Sequence, residues 1–525
     1  MSATTLLRHI LLATTALVAL VPVSSAFAQS LPTGGSVAAG NVTITRTAPT
    51  ALRIDQSSAS AITNWQSFSI GLGSRVDVVQ PSTQAAMLAR VTGTTPSTIA
   101  GDLTATGQLM LVNPNGIAIG STGTVAAGGG FVASSLAIGD DDFLSGKWTF
   151  AGNGASATVT NAGTISVGSG GYAALIGGSI DQSGTISVPL GRVGLGAGEQ
   201  ATLDLSGDGF LQVGVPTGST GSKALVEMSG TIRANGGRVE IEAAAAREAA
   251  RHAINLSGVV EARSVRGRSG DIVLGGSGGK VAVSGRLDAS SRKGKGGKVT
   301  ITGRDVALKG ATIDARGAGG GGTVRIGGDR QGTGRLARAE TTTIDATTRI
   351  DASATSTGDG GSVVVWADDT TAFAGTIVAT GGPLSGNGGE AEVSGKGLLA
   401  YTGFTDLSAV NGAFGTLLLD PYDVTISSGA DTSGFTATGN DSVINAGTLA
   451  TALGSANVTV STGTSGSQAG DITVAAPLTW SAATTLTLSA AHALAIDAPI
   501  TVTGAGGVAL VYDTASATNL SFGQG

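Results

Sequence analysis

Side chains that could perform acid–base or metal chemistry are few in this sequence. Three aspartates stand together at Asp140–Asp142, and the histidines are His9, His252 and His492. Carboxylates on one face of a β protein could bind or cleave polysaccharide, with or without calcium. The chain has no cysteine, and its histidines are far apart, so no zinc-type spacing exists. We therefore predict no metal, no cofactor and no enzyme, with a β-helix polysaccharide lyase or hydrolase as the alternative.

A basic cluster at Arg292, Lys293, Lys295 and Lys298 is the second candidate site. About twenty of the Lys and Arg residues fall between residues 233 and 338, with about half as many acidic residues. A solvated outer face explains such a run, and a binding patch for a polyanion such as a host or surface glycan is the sharper interpretation. The same stretch contains no aromatic residue, so a stacking surface for nucleic acid is not expected.

The third candidate is the corner Asn113-Pro114-Asn115-Gly116-Ile117, between two short apolar runs. Pro114 fixes its own φ and keeps Asn113 out of the helical region. The Asn-Gly pair adopts positive φ easily, so the chain can turn sharply and continue as a strand. Asparagine side chains can also hydrogen-bond backbone groups exposed at such a corner. The residues alone predict a tight turn in a β protein.

Short β runs separated by Gly, Asn, Asp and Ser must position these candidates. The runs 42–45, 76–79 and 164–167 alternate in polarity, which predicts strands. From about residue 230 a Gly-Gly pair followed by alternating apolar residues recurs. The repeats start at Gly236, Gly278, Gly296, Gly321, Gly360 and Gly388.

The composition agrees with stacked coils. The chain has 86 glycines and only 4% aromatic residues, which suits small residues packed between coils better than one large globular core. We predict an all-β fold, a right-handed parallel β-helix (β-solenoid), with Gly and Asn at corners that need positive φ. One short helix is predicted at 243–253, where the sequence AAAAREAARHA is rich in alanine and is followed by Asn255 and Gly258.

Several separated motifs stand in register between residues 64 and 154. They read NWQSFSIGLG, AMLARVTGTTPSTIAGDLTATGQLMLVNPNGIAIG and FVASSLAIGDDDFLSGKWTFAGNG. The matching positions are Trp65, Phe68, Ile70, Arg90, Val91, Gly93, Pro96, Ser97, Ile99, Gly101, Leu103, Asn113 to Ile117, Ala133, Ser134, Phe143, Gly146 and Phe150. In order and spacing, about residues 30–260 resemble the amino-terminal secretion domain of filamentous haemagglutinin-type exoproteins, the passenger half of two-partner secretion. Ala89 and Thr106 depart from the family, which commonly has Asn at both positions.

The resemblance implies an exoprotein that is exported through an outer-membrane transporter with periplasmic domains and acts in adhesion to cells or surfaces. It places the protein outside the cell or on its surface, reached through the periplasm. In that family the motif equivalent to Asn113–Ile117 helps the transporter to recognise the secretion domain. Two roles are therefore open for Asn113 and Asn115, because they can shape the coil corner or contact the transporter.

The chain divides into four predicted segments. Residues 1–28 have a basic start, an apolar run and the site Ala-Phe-Ala before Gln29, which predicts a secretory signal peptide. The secretion domain follows at 29–260, Gly-rich β-helix repeats at 261–414 and an Ala/Thr/Ser/Gly-rich region at 415–525. No stretch after the signal peptide is apolar enough to span a bilayer. The last region shows no polar closing coil, so we expect a truncated repeat region.

Overall fold

The computed structural model describes residues 30–205, 209–218, 223–246, 252–428, 441–462 and 469–523. The predicted signal peptide at 1–28 lies outside these residues. Within them the chain winds from a first sheet (sheet A) to a second (sheet B), to a third (sheet C) and back to sheet A. Each coil pairs with the one before it, mostly in parallel, which confirms the parallel β-helix.

Sheet A has 17 strands in the described part of the chain, and they follow one another along the stack. The first strand pairs antiparallel with the second, and the later pairs are parallel. The strands are Ser36–Ala39, Ser60–Trp65, Ala86–Val91, Gln108–Val112, Gly130–Ser134, Tyr172–Gly177, Arg192–Ala197, Arg238–Ala243, Asp271–Gly275, Lys298–Thr302, Thr323–Ile326, Ser362–Ala367, Glu390–Gly395, Thr416–Leu419, Asn457–Ser461, Thr485–Ser489 and Gly507–Val511.

Sheet B has 16 described strands, all paired in parallel. They are Ser97–Ile99, Ile117–Ile119, Thr158–Asn161, Ser179–Gln182, Val226–Met228, His252–Leu256, Lys280–Val283, Asp305–Leu308, Thr341–Ile344, Thr370–Phe373, Leu398–Tyr401, Asp423–Ser427, Asp441–Asn445, Ile472–Val474, Leu494–Ile496 and Leu520–Phe522. One pair is out of chain order, because Asp441–Asn445 lies between Leu398–Tyr401 and Asp423–Ser427.

Sheet C has 14 described strands, parallel except for the first pair. They are Val42–Ala48, Ala51–Gln56, Arg75–Val79, Asp102–Ala105, Thr124–Ala127, Thr164–Val167, Thr185–Ser187, Thr231–Arg233, Val259–Glu261, Arg286–Asp288, Thr312–Asp314, Arg349–Asp351, Thr376–Val378 and Phe404–Asp406. The three strands predicted from alternation in polarity are all present, with bounds that differ from the expected ones by at most three residues.

Alternation in polarity forms the core. Inward residues such as Ile54 and Ile313 are fully buried, and each stacks on its counterpart one coil away because the ladders are in register. The main apolar cluster runs from Leu31 to Leu494 through the inside of the coils. Five of the six Gly-Gly repeats lead into strands of sheet A, whereas the repeat at Gly278 leads into Lys280–Val283 of sheet B.

Some corner glycines, such as Gly170 and Gly236, adopt the predicted positive φ, whereas those of two stacked rows serve close approach instead. One row lies where sheet B passes to sheet C, and the other where sheet C passes to sheet A. A Cβ at these positions would overlap the carbonyl oxygen of the preceding coil. None of them is among the described glycines with positive φ, so small size is what the site requires. The rows are Gly163, Gly184, Gly230, Gly258 and Gly285, and Gly171, Gly191, Gly237, Gly297, Gly322, Gly361, Gly389 and Gly415.

The helix predicted at 243–253 is wrong at both ends of that range. Ala243 ends a strand of sheet A and pairs with Ala197, and His252 begins a strand of sheet B opposite Lys280. Pairing with the neighbouring coils supplies backbone hydrogen bonds that override the helix propensity of alanine. Residues 247–251 lie outside the described residues.

Two α-helices occur elsewhere in the described chain, at Asp140–Leu144 and Ala446–Leu453. The second is capped by Asn445, which accepts from the backbone N–H groups of Gly447 and Thr448. It packs between Phe404–Asp406, the last described strand of sheet C, and Leu478–Trp480, which pairs in parallel with Ile500–Val502. Short 3-10 turns lie at Arg330–Gly332 and Ala517–Asn519.

A second apolar layer covers the outer face of sheet A near its amino-terminal end. Strands Trp148–Ala151, Gln200–Leu203 and Leu211–Gly214 form a small antiparallel sheet. With the helix Asp140–Leu144 they bury the outward side chains of sheet A in a separate cluster. Sheet A is therefore apolar on both faces here, which short local alternation did not reveal.

Candidate functional site

The Asn113–Ile117 corner joins sheet A to sheet B. Strand Gln108–Val112 ends just before Asn113, and strand Ile117–Ile119 begins with the last residue of the motif. The N–H of Gly116 donates to the carbonyl of Asn113 at 2.9 Å, and Gly116 has φ of 106°. This positive φ is what the Asn-Gly pair predicted.

Asn113 is fully buried, and its side chain uses its whole hydrogen-bonding capacity. Its Nδ2 donates to the carbonyl of Thr95 at 3.0 Å and to Oγ of Ser97 at 2.9 Å. Its Oδ1 accepts from the backbone N–H and from Nδ2 of Asn115, both at 3.0 Å. Asn113 therefore braces its own turn and ties it to the preceding coil.

Asn115 completes this brace from a partly exposed position. Its Nδ2 also donates to the carbonyl of Gly93 at 2.9 Å. The structure thus brings Gly93 and Ser97 of one coil together with Asn113 and Asn115 of the next. Pro114 is exposed at the tip of the turn, whereas the Asn113 side chain is out of reach of any partner of the folded coil.

The acidic triplet Asp140–Asp142 forms the first turn of the helix Asp140–Leu144. Its carboxylates stand at the helix amino terminus, where they complement the helix dipole. Asp140 forms an ion pair with Arg90 at 2.6 Å, and Arg90 also donates to the carbonyl of Ile138 at 2.8 Å. The helix buries Phe143 in the outer apolar layer. These contacts give the triplet a structural role, because they hold the outer apolar layer against sheet A.

The histidines do not come together in the described chain, and His9 lies outside it. His252 is exposed at the start of a strand of sheet B. Nδ1 of His492 lies 2.7 Å from Asp471, and both side chains are about half exposed. Among the described residues no group of three or more His, Asp or Glu side chains could hold a metal ion.

The basic cluster is divided among three places. Arg292 and Lys293 line an open groove of about 480 Å³, together with Arg263 and Arg266 of the preceding coil. The stem of Lys295 passes over Gly320 of the following coil. Lys298 stands on sheet A opposite Asp271. The sequence did not single out Arg263 and Arg266, because their approach depends on how successive corner loops stack.

Within the groove the cations differ in their partners. Arg263 is neutralised by Asp288, at 2.8 Å, and by Glu261, at 3.2 Å. The hydrogen bond with Asp288 raises the pKa of Arg263. Burial lowers it by less, so the pKa of Arg263 is raised overall. Arg266, Arg292 and Lys293 form no ion pair with a described carboxylate. Three positive charges are therefore available to an anion.

Comparison with known proteins gives a consistent family. The TPS secretion domain model matches residues 28–289. A solved structure, the HMW1 secretion domain from Haemophilus influenzae, is 29% identical with a TM-score of 0.60, and the match covers 74% of this chain and 100% of that one.

Two curated relatives carry the name heme/hemopexin-binding protein. The one from Haemophilus influenzae strain Rd is 27% identical over 259 residues, which are 47% of this chain and 28% of that protein. Another Haemophilus influenzae protein of that name is 42% identical over 80 residues, 15% of this chain and 9% of its own length. The chain thus spans less than a third of the length of either relative.

No helix among the described residues is both long and apolar enough to cross a membrane. The stacked coils, the braced corner and these similarities agree. Through its TPS secretion domain, the chain belongs to the family of two-partner secretion exoproteins of the filamentous haemagglutinin type.

Proposed function

We propose that this chain is exported through an outer-membrane transporter with periplasmic domains, reaches the cell surface or the medium, and acts there in adhesion. The observation that carries the export proposal is the Asn113–Asn115 brace, which joins family-matching positions on two adjacent coils. A long regular stack with exposed outer faces supports a role in contact with cells or surfaces.

The proposed mechanism is folding in one direction along the stack. The first strands of sheets A and C pair antiparallel with their neighbours, which gives the stack a defined beginning. Each later coil then adds parallel pairs to the coil already formed. Every added coil buries apolar side chains and completes backbone hydrogen bonds, so its folding outside the membrane opposes return of the chain.

Asn113 serves this mechanism in two states. In the folded domain its four hydrogen bonds hold the corner. Before folding, the same polar corner is accessible. We propose that the transporter recognises it then, because the extended segment can add as a strand to a sheet of the transporter's periplasmic domains. Burial of the folded Asn113 side chain supports a contact made before the corner closes.

For the mature chain we propose a secretion domain at 29–260, Gly-rich β-helix repeats at 261–414 and an Ala/Thr/Ser/Gly-rich region at 415–525. The end of sheet C at Asp406, followed by the helix Ala446–Leu453, supports a change of architecture near residue 415.

The test is secretion of the double variant Asn113→Ala/Asn115→Ala. We expect loss of release into the medium with normal entry into the periplasm. The matched control is Asn161→Ala, since Asn161 is equally buried and bonds Gln182 at 2.8 Å and the N–H of Gly163 at 3.1 Å. Normal secretion of the double variant, or equal loss in the control, would contradict transporter reading of the corner.

A second function is favoured by the groove of Arg266, Arg292 and Lys293. Its three unpaired cations and the flanking Asn235 and Ser290 can bind sulfate or carboxylate groups of a surface glycan. Retention of the purified mature protein on a sulfated polysaccharide column tests this proposal. We expect Arg292→Gln/Lys293→Gln to elute at lower salt, whereas Lys309→Gln, which removes an exposed lysine elsewhere, should elute close to the unaltered protein. Equal elution of all variants would refute it.

The curated relatives are named for heme/hemopexin binding, but the matches to this chain cover only 28% and 9% of their lengths. No described feature of this chain favours that activity. No described feature favours the alternative of a polysaccharide lyase or hydrolase either. Asp140 is paired with Arg90, and the similar proteins are described as a secretion domain or as binding proteins.

A further inference from the structure

A small cavity lies on the outer face of sheet A, far from the Asn113 corner. The segment 327–339, which includes the turn Arg330–Gly332, crosses this face, and Trp366 is buried beneath Gly328 and Gly332. The cavity beside this segment has a volume of about 110 Å³. Its lining includes Arg330, Ser362, Val364, Glu392, Thr416 and Leu418.

Glu392 is the unusual residue of this cavity, because it is only 3% exposed. Its Oε1 accepts from the backbone N–H of Gln331 at 2.8 Å and from Oγ of Ser394 at 2.9 Å. Its Oε2 is buried and has no hydrogen-bond partner among the described residues. Leaving a buried carboxylate oxygen without a donor is costly, so Oε2 of Glu392 is placed to accept a hydrogen bond from a bound group.

The charges around the cavity leave room for one cation. Glu390 pairs with Arg330 at 2.8 Å at the mouth, and Arg325 pairs with Asp329 at 2.9 Å. Asp420 interacts with Glu392 and with Lys396, which also lies 6.0 Å from the ring of Tyr422. Four carboxylates thus face three cations, and the surplus is one negative charge.

We propose that this cavity binds the primary ammonium end of a small alkylamine. The unpartnered Oε2 of Glu392 accepts one N–H, and the hydroxyl of Thr416 offers a second acceptor. Oγ of Ser362 already accepts from Arg325 at 3.2 Å and has one lone pair left for a further N–H. Val364 and Leu418 provide apolar contact for a short alkyl stem. The volume is somewhat below the roughly 150 Å³ that accommodates benzene in an engineered protein cavity, which suits a head group with a few carbons.

Two further observations support a monovalent organic cation. No described group of three acidic or histidine side chains could hold a metal ion, and Arg330 at the mouth disfavours a concentrated double charge. Burial raises the pKa of Glu392 and raises the pKa of Asp420 to about 6. A bound ammonium would favour the ionised carboxylates, so binding should weaken as the pH falls below about 6.

The experiment is titration of the purified mature protein with n-butylammonium chloride, followed by calorimetry at neutral pH. 1-Butanol has nearly the same shape without the charge and serves as the ligand control. We expect saturable binding of the amine, with at least tenfold weaker binding of the alcohol. Because this comparison uses the unaltered protein, it does not depend on the folding of a variant.

Substitution then locates the site. Glu392→Gln should weaken amine binding at least tenfold, whereas Glu340→Gln, outside the cavity, should leave it unchanged. No saturable heat up to about 50 mM amine would show a cavity filled only by water. Equal binding of butanol and butylamine, or full binding by Glu392→Gln, would also overturn the proposal.

Discussion

Replacing Asp420 by Asn should stabilise the protein at neutral pH. Burial is the main cause that raises the pKa of Asp420 to about 6, and the neighbouring Glu392 adds to it. A hydrogen bond from Gln331 and the charge of Lys396 act in the opposite direction without cancelling it. Ionised Asp420 is therefore an unfavourable feature of the folded state at pH 7.5.

The magnitude follows from the two pKa values. The difference between 3.8, the ordinary value, and about 6 corresponds to about 3 kcal/mol, which is an upper figure because Glu392 titrates with Asp420. The folded state binds the proton more tightly than the unfolded chain. The stabilising contribution of the protonated form is thus complete below about pH 4 and is lost as the pH rises through about 6. An amide is neutral throughout, so the gain should appear only at the higher pH.

Hydrogen exchange is the suitable measurement, because a long stack opens locally before it unfolds as a whole. The informative amides are those of Thr416–Leu419 and Gln331. We expect the opening free energy of Asp420→Asn to rise by about 2–3 kcal/mol at pH 7.5 and to match the unaltered protein near pH 4 within about 0.5 kcal/mol. Asp141→Asn, at an exposed helix position, should change neither value. A loss of stability at pH 7.5, or an equal gain at both pH values, would refute the reasoning.

Three further predictions concern the packing of the coils. Gly101→Ala should destabilise the stack by more than about 2 kcal/mol in urea unfolding, because its Cβ would overlap the carbonyl oxygen of Ser74. Burial raises the pKa of Glu199, but hydrogen bonds, chiefly from Ser156, outweigh it and lower the pKa overall. The amide of Ser156 should therefore exchange faster, after correction for intrinsic rates, as the pH falls from about 5 to about 3, and Glu199→Gln should abolish this dependence. Ile313→Ala should cost about 3–4 kcal/mol in urea unfolding because the side chain is fully buried, and a cost below about 1 kcal/mol would contradict the packing.

Part of the candidate site could be predicted from the sequence. Asn-Pro-Asn-Gly predicts a sharp turn, and the family motifs around it predict its importance. The partners of Asn113 were not predictable, since Thr95 and Ser97 meet it only because the corresponding corner of the preceding coil lies directly beneath it. The groove at Arg292 is similar, because Arg266 is brought beside it by the stacking of corner loops.

Errors in the predicted fold have the same origin. The alanine-rich run at 243–253 favours a helix locally, yet Ala243 and His252 are held in strands by neighbouring coils. Positive φ was predicted for the corner glycines and is confirmed at Gly116, Gly170 and Gly236, whereas the rows along the stack need the absence of a Cβ. In both cases contacts between neighbouring coils, and not the local residues, determined the backbone conformation.

The amino-acid sequence by itself determined that this protein is a stack of short strands, because alternation in polarity and small corner residues are properties of a few consecutive positions. Tertiary structure alone decided which corner lies above which, where sheet A receives its outer apolar layer, and which charges remain unpaired. These features depend on the length and register of each coil, and a change of one residue in either would move every side chain to a different neighbour.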